Sequence, residues 1–346
     1  MSTVQTVTLT NGTIGDGVSI VTTTEIPRRP TLRAAASATI TRWTLGCLTS
    51  VIPANEPGVW FGRGLIATIM AAGGSMPAGA KIIPVRTPRV RGEWVLGPGV
   101  QFGSRAGYYV HGSAFVLCST ATHRKLVARL SEATGLPFFV VDYRLAPRYR
   151  FPAAAEDVEA GYRWLLEQGY AGSDVVIGAD SAGGHLTCDM LLAHARHVAF
   201  QPAAVVLFSP LIDLTMTLAK QQEKTRRDPA MSADAAARMV GLYTRGQDPL
   251  HVRLRLRFTD AQLLPPMLIQ VGSFEMLSAD ARHLHAELQK SGGRSTLEVW
   301  PGMVHVFQAL PKVAPEATAA LRRAAAFVAE HLADGQHRVD ELQEMG

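Results

Sequence analysis

From about Arg105 onward the chain alternates short β-branched or aromatic runs with stretches of helical character, and few folds tolerate that rhythm. Residues 107–110 (Gly-Tyr-Tyr-Val), 136–141 (containing Phe-Phe-Val-Val), 174–177 (Asp-Val-Val-Ile), 203–208, 267–271 and 295–300 read as strands. Residues 120–133, 152–167, 182–195, 280–290 and 314–332 read as the intervening and closing helices. The strand runs are apolar at consecutive positions, as they must be when helices cover both faces of a parallel sheet. Punctuation agrees with the periodicity: Ser119 or Thr120 stands at a helix start, Gly135 at a stop, Pro152 opens a helix and Gly169 closes it. The expected class is therefore α/β, a mostly parallel central sheet flanked by helices.

Two regions break the rhythm. Residues 211–264 hold one helical stretch (232–243) and no clear core strand, which marks an insertion of the lid type. Upstream, residues 1–30 look irregular, residues 62–72 read as a short apolar helix stopped by Gly73-Gly74, and residues 93–96 read as a strand. Four segments are expected: an N-terminal leader and cap segment (1–80), a catalytic core (81–210 and 265–335), a cap insertion (211–264) and a C-terminal tail (336–346).

Bulk chemistry narrows the partners. Apolar residues make up 47% and charged residues 18%, enough apolar content to build a packed core rather than a disordered chain. The net charge of +5 is scattered, its densest groups being Arg28-Arg29, the run 224–227 and the run 253–257, so no nucleic-acid partner is expected. Three cysteines, Cys47, Cys118 and Cys188, match neither a disulfide framework nor a zinc motif, and a reducing, cytoplasmic setting is expected. His194 and His197 can share a helix face, but no further ligand accompanies them, so no metal is expected. The apolar segment 43–70 is interrupted by Pro53, Asn55, Glu56, Pro57 and Arg63, and no integral membrane span or secretory signal is expected.

The chemistry concentrates at Gly178-Ala179-Asp180-Ser181-Ala182-Gly183-Gly184, which follows a strand and opens a helix. A nucleophilic serine in a strained strand–turn–helix needs small residues two positions before and after it; here these are Ala179 and Gly183. The backbone N–H of Ala182 is then a candidate oxyanion donor. His111-Gly112-Ser113-Ala114-Phe115 follows an early strand, where such enzymes raise a second set of donors, and Gly112 and Ser113 are the candidates. His305 lies in the loop after the last strand, where the general base is expected. The orienting carboxylate should follow the preceding strand, where Glu275 and Asp280 compete; Asp280 can equally cap the next helix. Trp43, Trp60 and Phe61 are candidates for an acyl pocket, or for packing within a cap.

Together these residues resemble the hormone-sensitive-lipase-like branch of the α/β-hydrolases, the bacterial esterase/lipase family with a His-Gly-Gly-Gly box. The resemblance rests on residues 111–115, on Asp142-Tyr143-Arg144-Leu145-Ala146-Pro147 with Phe151-Pro152-Ala153-Ala154, on Asp180-Ser181-Ala182-Gly183-Gly184 and on residues 300–307. It implies an α/β-hydrolase fold with a helical cap and cofactor-free hydrolysis of short or medium acyl esters, with a small-molecule ester as the partner and a homodimer left open. Three positions depart from the family pattern: Ala179 replaces Gly, Gly-Ser-Ala replaces Gly-Gly-Gly, and Phe274 stands where many relatives carry Asp. Lactone or amide hydrolysis, or a catalytically weak binding protein on the same fold, are the alternatives.

Overall fold

The structure, a computed structural model, describes residues 55–112 and 114–344 together with Ile26, Arg29, Thr31 and Pro53, with side chains described to residue 333. Eight strands form one sheet: β1 (Lys81–Arg86), β2 (Arg91–Leu96), β3 (Ala106–Val110), β4 (Phe138–Val141), β5 (Val175–Asp180), β6 (Ala204–Phe208), β7 (Met267–Gly272) and β8 (Ser295–Trp300). Their spatial order is β1-β2-β4-β3-β5-β6-β7-β8. β1 and β2 pair antiparallel, β2 meets β4 antiparallel, and every pair from β4 through β8 is parallel. The register sets Val110 beside Ala179 and Asp180 beside Phe208, so the C-terminal ends of β3, β5 and β6 lie together, with β7 and β8 next in line.

Adjacent strand residues point to opposite faces, so one apolar run feeds two cores. Tyr108, Ile177, Leu207 and Ile269 pack on one face with α3 (Ala153–Glu167), α4 (Ala182–Ala193) and α7 (Ser278–Lys290). Tyr109, Val176, Val206 and Leu268 pack on the other with α2 (Thr120–Thr134) and α8 (Glu316–Glu344). Leu126 and Leu130 of α2 and Leu321 of α8 are buried there, and each such side chain contributes roughly 1.5–3 kcal/mol on burial.

Three elements differ from the expectation. β1 was not foreseen: Lys-Ile-Ile-Pro-Val-Arg is half exposed at the sheet edge, where Pro84 is tolerated, and it carries no buried run to announce it. The first described helix, α1 (Glu56–Ala72), begins six residues earlier than the periodicity suggests. Asn55 caps it by accepting the Gly58 N–H at 2.9 Å, and Pro57 sits in its first turn. The residues read as a break are its start signal. The insertion holds two helices, α5 (Thr217–Thr225) and α6 (Ala233–Thr244); the first is too polar to register as a core-facing stripe. α1 and the insertion both contribute walls to a cavity that Ser181 and His305 also line. No described helix is long and apolar enough to cross a membrane.

Candidate active site

β5 ends at Asp180 and α4 begins at Ala182, leaving Ser181 alone at the turn with φ +50° and ψ −123°. That conformation is costly for a residue with a Cβ and persists because its surroundings over-determine it. The Ser181 N–H donates to the Phe208 carbonyl (3.0 Å), and the Ser181 carbonyl accepts from Leu211 and Gly184 N–H, each at 2.9 Å. A Cβ on Gly183 would lie 2.1 Å from the Val110 carbonyl oxygen, so this position admits no side chain. Ala179, the departure from Gly, is fully buried with room for its methyl.

His305 follows β8 and lines the same cavity as Ser181. Its Nδ1 lies 2.7 Å from Oε2 of Glu275. The other oxygen of Glu275 accepts the Gly272 N–H and the Ser209 hydroxyl, both at 2.7 Å. Ser209 Oγ in turn accepts the N–H of Val306 at 3.1 Å, so the end of β6 braces acid and imidazole from behind. Burial works against a charge on His305. The hydrogen bond and charge of Glu275, with Asp228 and Asp180 further off, outweigh burial and hold its pKa above the ordinary histidine value. Sequence reasoning missed Ser209, which stands at φ +49° immediately after β6 and whose role depends on a partner 66 positions away.

Asp280 is not brought to His305. Its Oδ1 accepts the N–H groups of Ile212 (2.9 Å) and Asp213 (2.8 Å), where the chain leaves the sheet for the insertion. Burial pushes its carboxyl up to about 7.

The loop that carries the oxyanion candidates packs against Asp180. Gly112 borders the cavity, and a Cβ there would sit 2.2 Å from Asp180 Oδ2. Ser113 lies outside the described residues. Ala182 is buried at the first position of α4, beside the cavity wall formed by Ser181 and by Ala114, which has φ +49°.

Asp180 anchors a buried cluster that sequence reasoning did not assemble. Tyr109 donates its hydroxyl to Oδ1 at 2.9 Å, and His123 Nε2 lies 3.2 Å from Oδ1 and 3.3 Å from Oδ2. His123 Nδ1 faces Thr122 Oγ1 at 2.9 Å, and that hydroxyl gives its own proton to the Ser119 carbonyl at 2.7 Å. Each ring nitrogen thus has a polar partner. Burial opposes a charge on His123, but Asp180 outweighs burial and raises His123; Asp180 is held below the ordinary carboxylate range by His123 against its own burial. His111, 5.4 Å from His123 and stacked on Tyr143, is pushed down to about 3 by burial and by the neighbouring cation, so it is neutral.

The cavity measures about 180 Å³ and is almost wholly apolar, with Ile69, Met70, Met216, Met231, Val240 and Leu310 among its walls. Trp60 and Phe61 do not line it. They are exposed on α1 and border a separate surface depression beside Leu117 and Cys118, while Trp43 lies outside the described residues. His194 and His197 approach through their Nδ1 atoms (3.3 Å), and His194 Nε2 meets Glu159 at 2.9 Å. Among the described residues no group of three or more such side chains is arranged to hold a metal.

Residues 108–309 match the family model for the alpha/beta hydrolase fold. The chain is 38% identical to an acetyl-hydrolase of Streptomyces hygroscopicus over 70% of its own length and 81% of that protein. It is 33% identical to the carboxylesterase/phospholipase LipF of Mycobacterium tuberculosis over 72% and 69% of the two chains. Among solved structures, an esterase from the bacterial hormone-sensitive lipase family superposes with a TM-score of 0.76 at 31% identity, covering 87% of this chain and 99% of the other.

Proposed function

The chain belongs to the bacterial hormone-sensitive-lipase-like family of the α/β-hydrolase fold and is a hydrolase of ester bonds; from that premise we propose that it works through a Ser181–His305–Glu275 triad and an acyl-enzyme. The observation that carries the reading is the 2.7 Å contact between His305 Nδ1 and Glu275, on an imidazole that shares one apolar cavity with a strained serine. With Nδ1–H held by the carboxylate, Nε2 is the unprotonated, basic nitrogen. His305 takes the Ser181 proton as Oγ attacks the ester carbonyl. The oxyanion rests on the backbone N–H groups of Gly112, Ser113 and Ala182. His305 then protonates the leaving alcohol, and water attacks the acyl-enzyme with His305 again as base.

The small apolar cavity favours uncharged acyl groups of short or medium length. Residues 211–264, with α1, form the cap of this reading, and residues 81–210 and 265–335 the catalytic core. A cytoplasmic setting fits the cysteine usage.

The test is hydrolysis of p-nitrophenyl esters from acetate to laurate by the wild type and by Ser181→Ala. A rate on short chains that disappears in the variant supports the reading and ranks the pocket by chain length. A folded wild type inactive on every chain length rejects it in favour of lactone or amide substrates.

A further inference from the structure

The cap reaches the triad through a carboxylate that the mechanism above does not use. Asp228 lies in the insertion between α5 and α6 and is half-buried. Its Oδ1 accepts the N–H groups of Ala230 (2.7 Å) and Met231 (3.3 Å), forming a tight local turn. Its Oδ2 crosses to the core and accepts the N–H of Met276 at 2.9 Å. Met276 follows Glu275 directly. On the other side of Glu275, the Arg226 guanidinium lies 4.4 Å from the centre of the Phe274 ring. One short stretch of the cap therefore grips both sequence neighbours of the candidate acid.

The grip also shapes the cavity. Ala230 and Met231 on the cap side and Met276 and Leu277 on the core side are all wall residues, and Asp228 ties the two pairs together. Phe274, the departure from the family pattern, acquires a role here as the platform for Arg226.

We propose that Asp228 is a positioning residue of the triad: from the cap, its carboxylate fixes the loop bearing Glu275 through the Met276 N–H and adds a second negative charge to the field at His305. The proposal rests on the reading of His305 as general base. The titratable groups that bear on Asp228 are His305 and Glu275, and those that bear on His305 are Glu275, Asp228 and Asp180. Burial pushes the Asp228 carboxyl up to about 6, against the pull of the Met276 and Ala230 N–H groups and of His305. Asp228 is thus ionised at neutral pH, and its charge raises His305. A general base must be neutral to act, so activity rises with pH through the His305 pKa, and removing the Asp228 charge moves that rise to lower pH.

The experiment is the pH profile of kcat/KM on p-nitrophenyl butyrate for the wild type, Asp228→Asn and Asp228→Glu. Asn keeps an acceptor for Ala230 and Met231 while losing the charge. The acid limb should move down by about half a pH unit or more in Asp228→Asn. Its kcat at pH 8 should fall on the order of tenfold through the loosened acid loop, with little change in KM. Asp228→Glu should return the limb to its wild-type position. If the Asn protein does not fold, Asp228→Ser is also neutral, its hydroxyl can still accept the Ala230 N–H, and it carries the same expectation. A limb that stays in place in the neutral variant overturns the proposal, even where kcat falls, because a purely structural role would do that. Failure of the esterase reading is separable: carbon-13 NMR of labelled histidine, with His305 assigned through His305→Asn, follows the same titration without turnover. An unshifted His305 titration in Asp228→Asn overturns the proposal whether or not the wild type hydrolyses esters.

Discussion

Replacing Glu275 by Gln keeps the shape of the side chain and changes only what it can accept. The carboxylate receives three hydrogen bonds: Gly272 N–H and Ser209 O–H on Oε1, and His305 Nδ1–H on Oε2. A glutamine has one acceptor oxygen and one NH₂. If the oxygen stays with Gly272 and Ser209, the NH₂ faces His305 across 2.7 Å, and the imidazole must move its proton from Nδ1 to Nε2. That leaves Nε2 unable to take the Ser181 proton. If the amide flips, its NH₂ opposes the Gly272 N–H in a buried site, at a cost of about 1–3 kcal/mol for the unsatisfied donors. The first orientation avoids that cost and is the inactive tautomer. kcat should therefore fall by about 10³–10⁴, the loss that follows a wrong-tautomer histidine, with KM and the thermal melt little changed. Steady-state hydrolysis of p-nitrophenyl butyrate at pH 8, with Asp280→Asn measured alongside, reads the outcome. Glu275→Gln within about tenfold of wild type, with Asp280→Asn down a thousandfold, would refute Glu275 as the acid and the tautomer argument with it.

Two further expectations concern stability. Asp280 is raised to about 7 in the folded protein from an ordinary 3.8, so the folded state binds this proton more tightly than the unfolded one. Its contribution is fully present below about pH 4 and is lost as pH rises towards 7; three units correspond to a loss of up to about 4 kcal/mol. Asp280→Asn should flatten the fall in melting temperature between pH 4 and 7, and parallel profiles for the two proteins would reject the assignment. His123→Phe leaves Asp180 as a buried anion without its cation, which should cost about 3–5 kcal/mol in urea unfolding. Because His123 is raised in the folded state, the pair's stabilisation is full below the unfolded histidine pKa and fades as pH rises through the folded one. The deficit of the Phe variant should therefore shrink in alkaline buffer; a constant deficit would mean lost packing rather than lost charge.

The sheet was legible where physics leaves marks in local composition. β3 to β7 are largely buried apolar runs because helices cover both faces, and the glycines and prolines between them end helices for local backbone reasons. β1 carried no such mark, because an edge strand needs neither two apolar faces nor a full set of N–H donors. The polar helix α5 was hidden for a related reason: Ala219 is its one fully buried residue, so most of its sequence answers to solvent.

In the site, legibility followed how local each requirement is. Ser181 announces itself because a strained turn dictates small neighbours within two positions. The acid does not, because the choice between Glu275 and Asp280 depends on Ser209 at the end of another strand and on the Gly272 N–H at the end of β7. Both carboxylates follow β7 within eight residues; one accepts from His305 and the other from the root of the insertion. Gly112 shows the limit most clearly. A glycine in a motif signals that something approaches its backbone closely, and a substrate oxygen was the natural candidate. In the folded chain the Asp180 carboxylate also packs against it, 2.2 Å from where a Cβ would stand. That carboxylate is held below the ordinary range beside Ser181 by His123, on a helix 57 residues earlier. The small residue was readable; the identity of its neighbour depends on how β3, α2 and β5 converge, and the histidine's raised pKa exists only once they have.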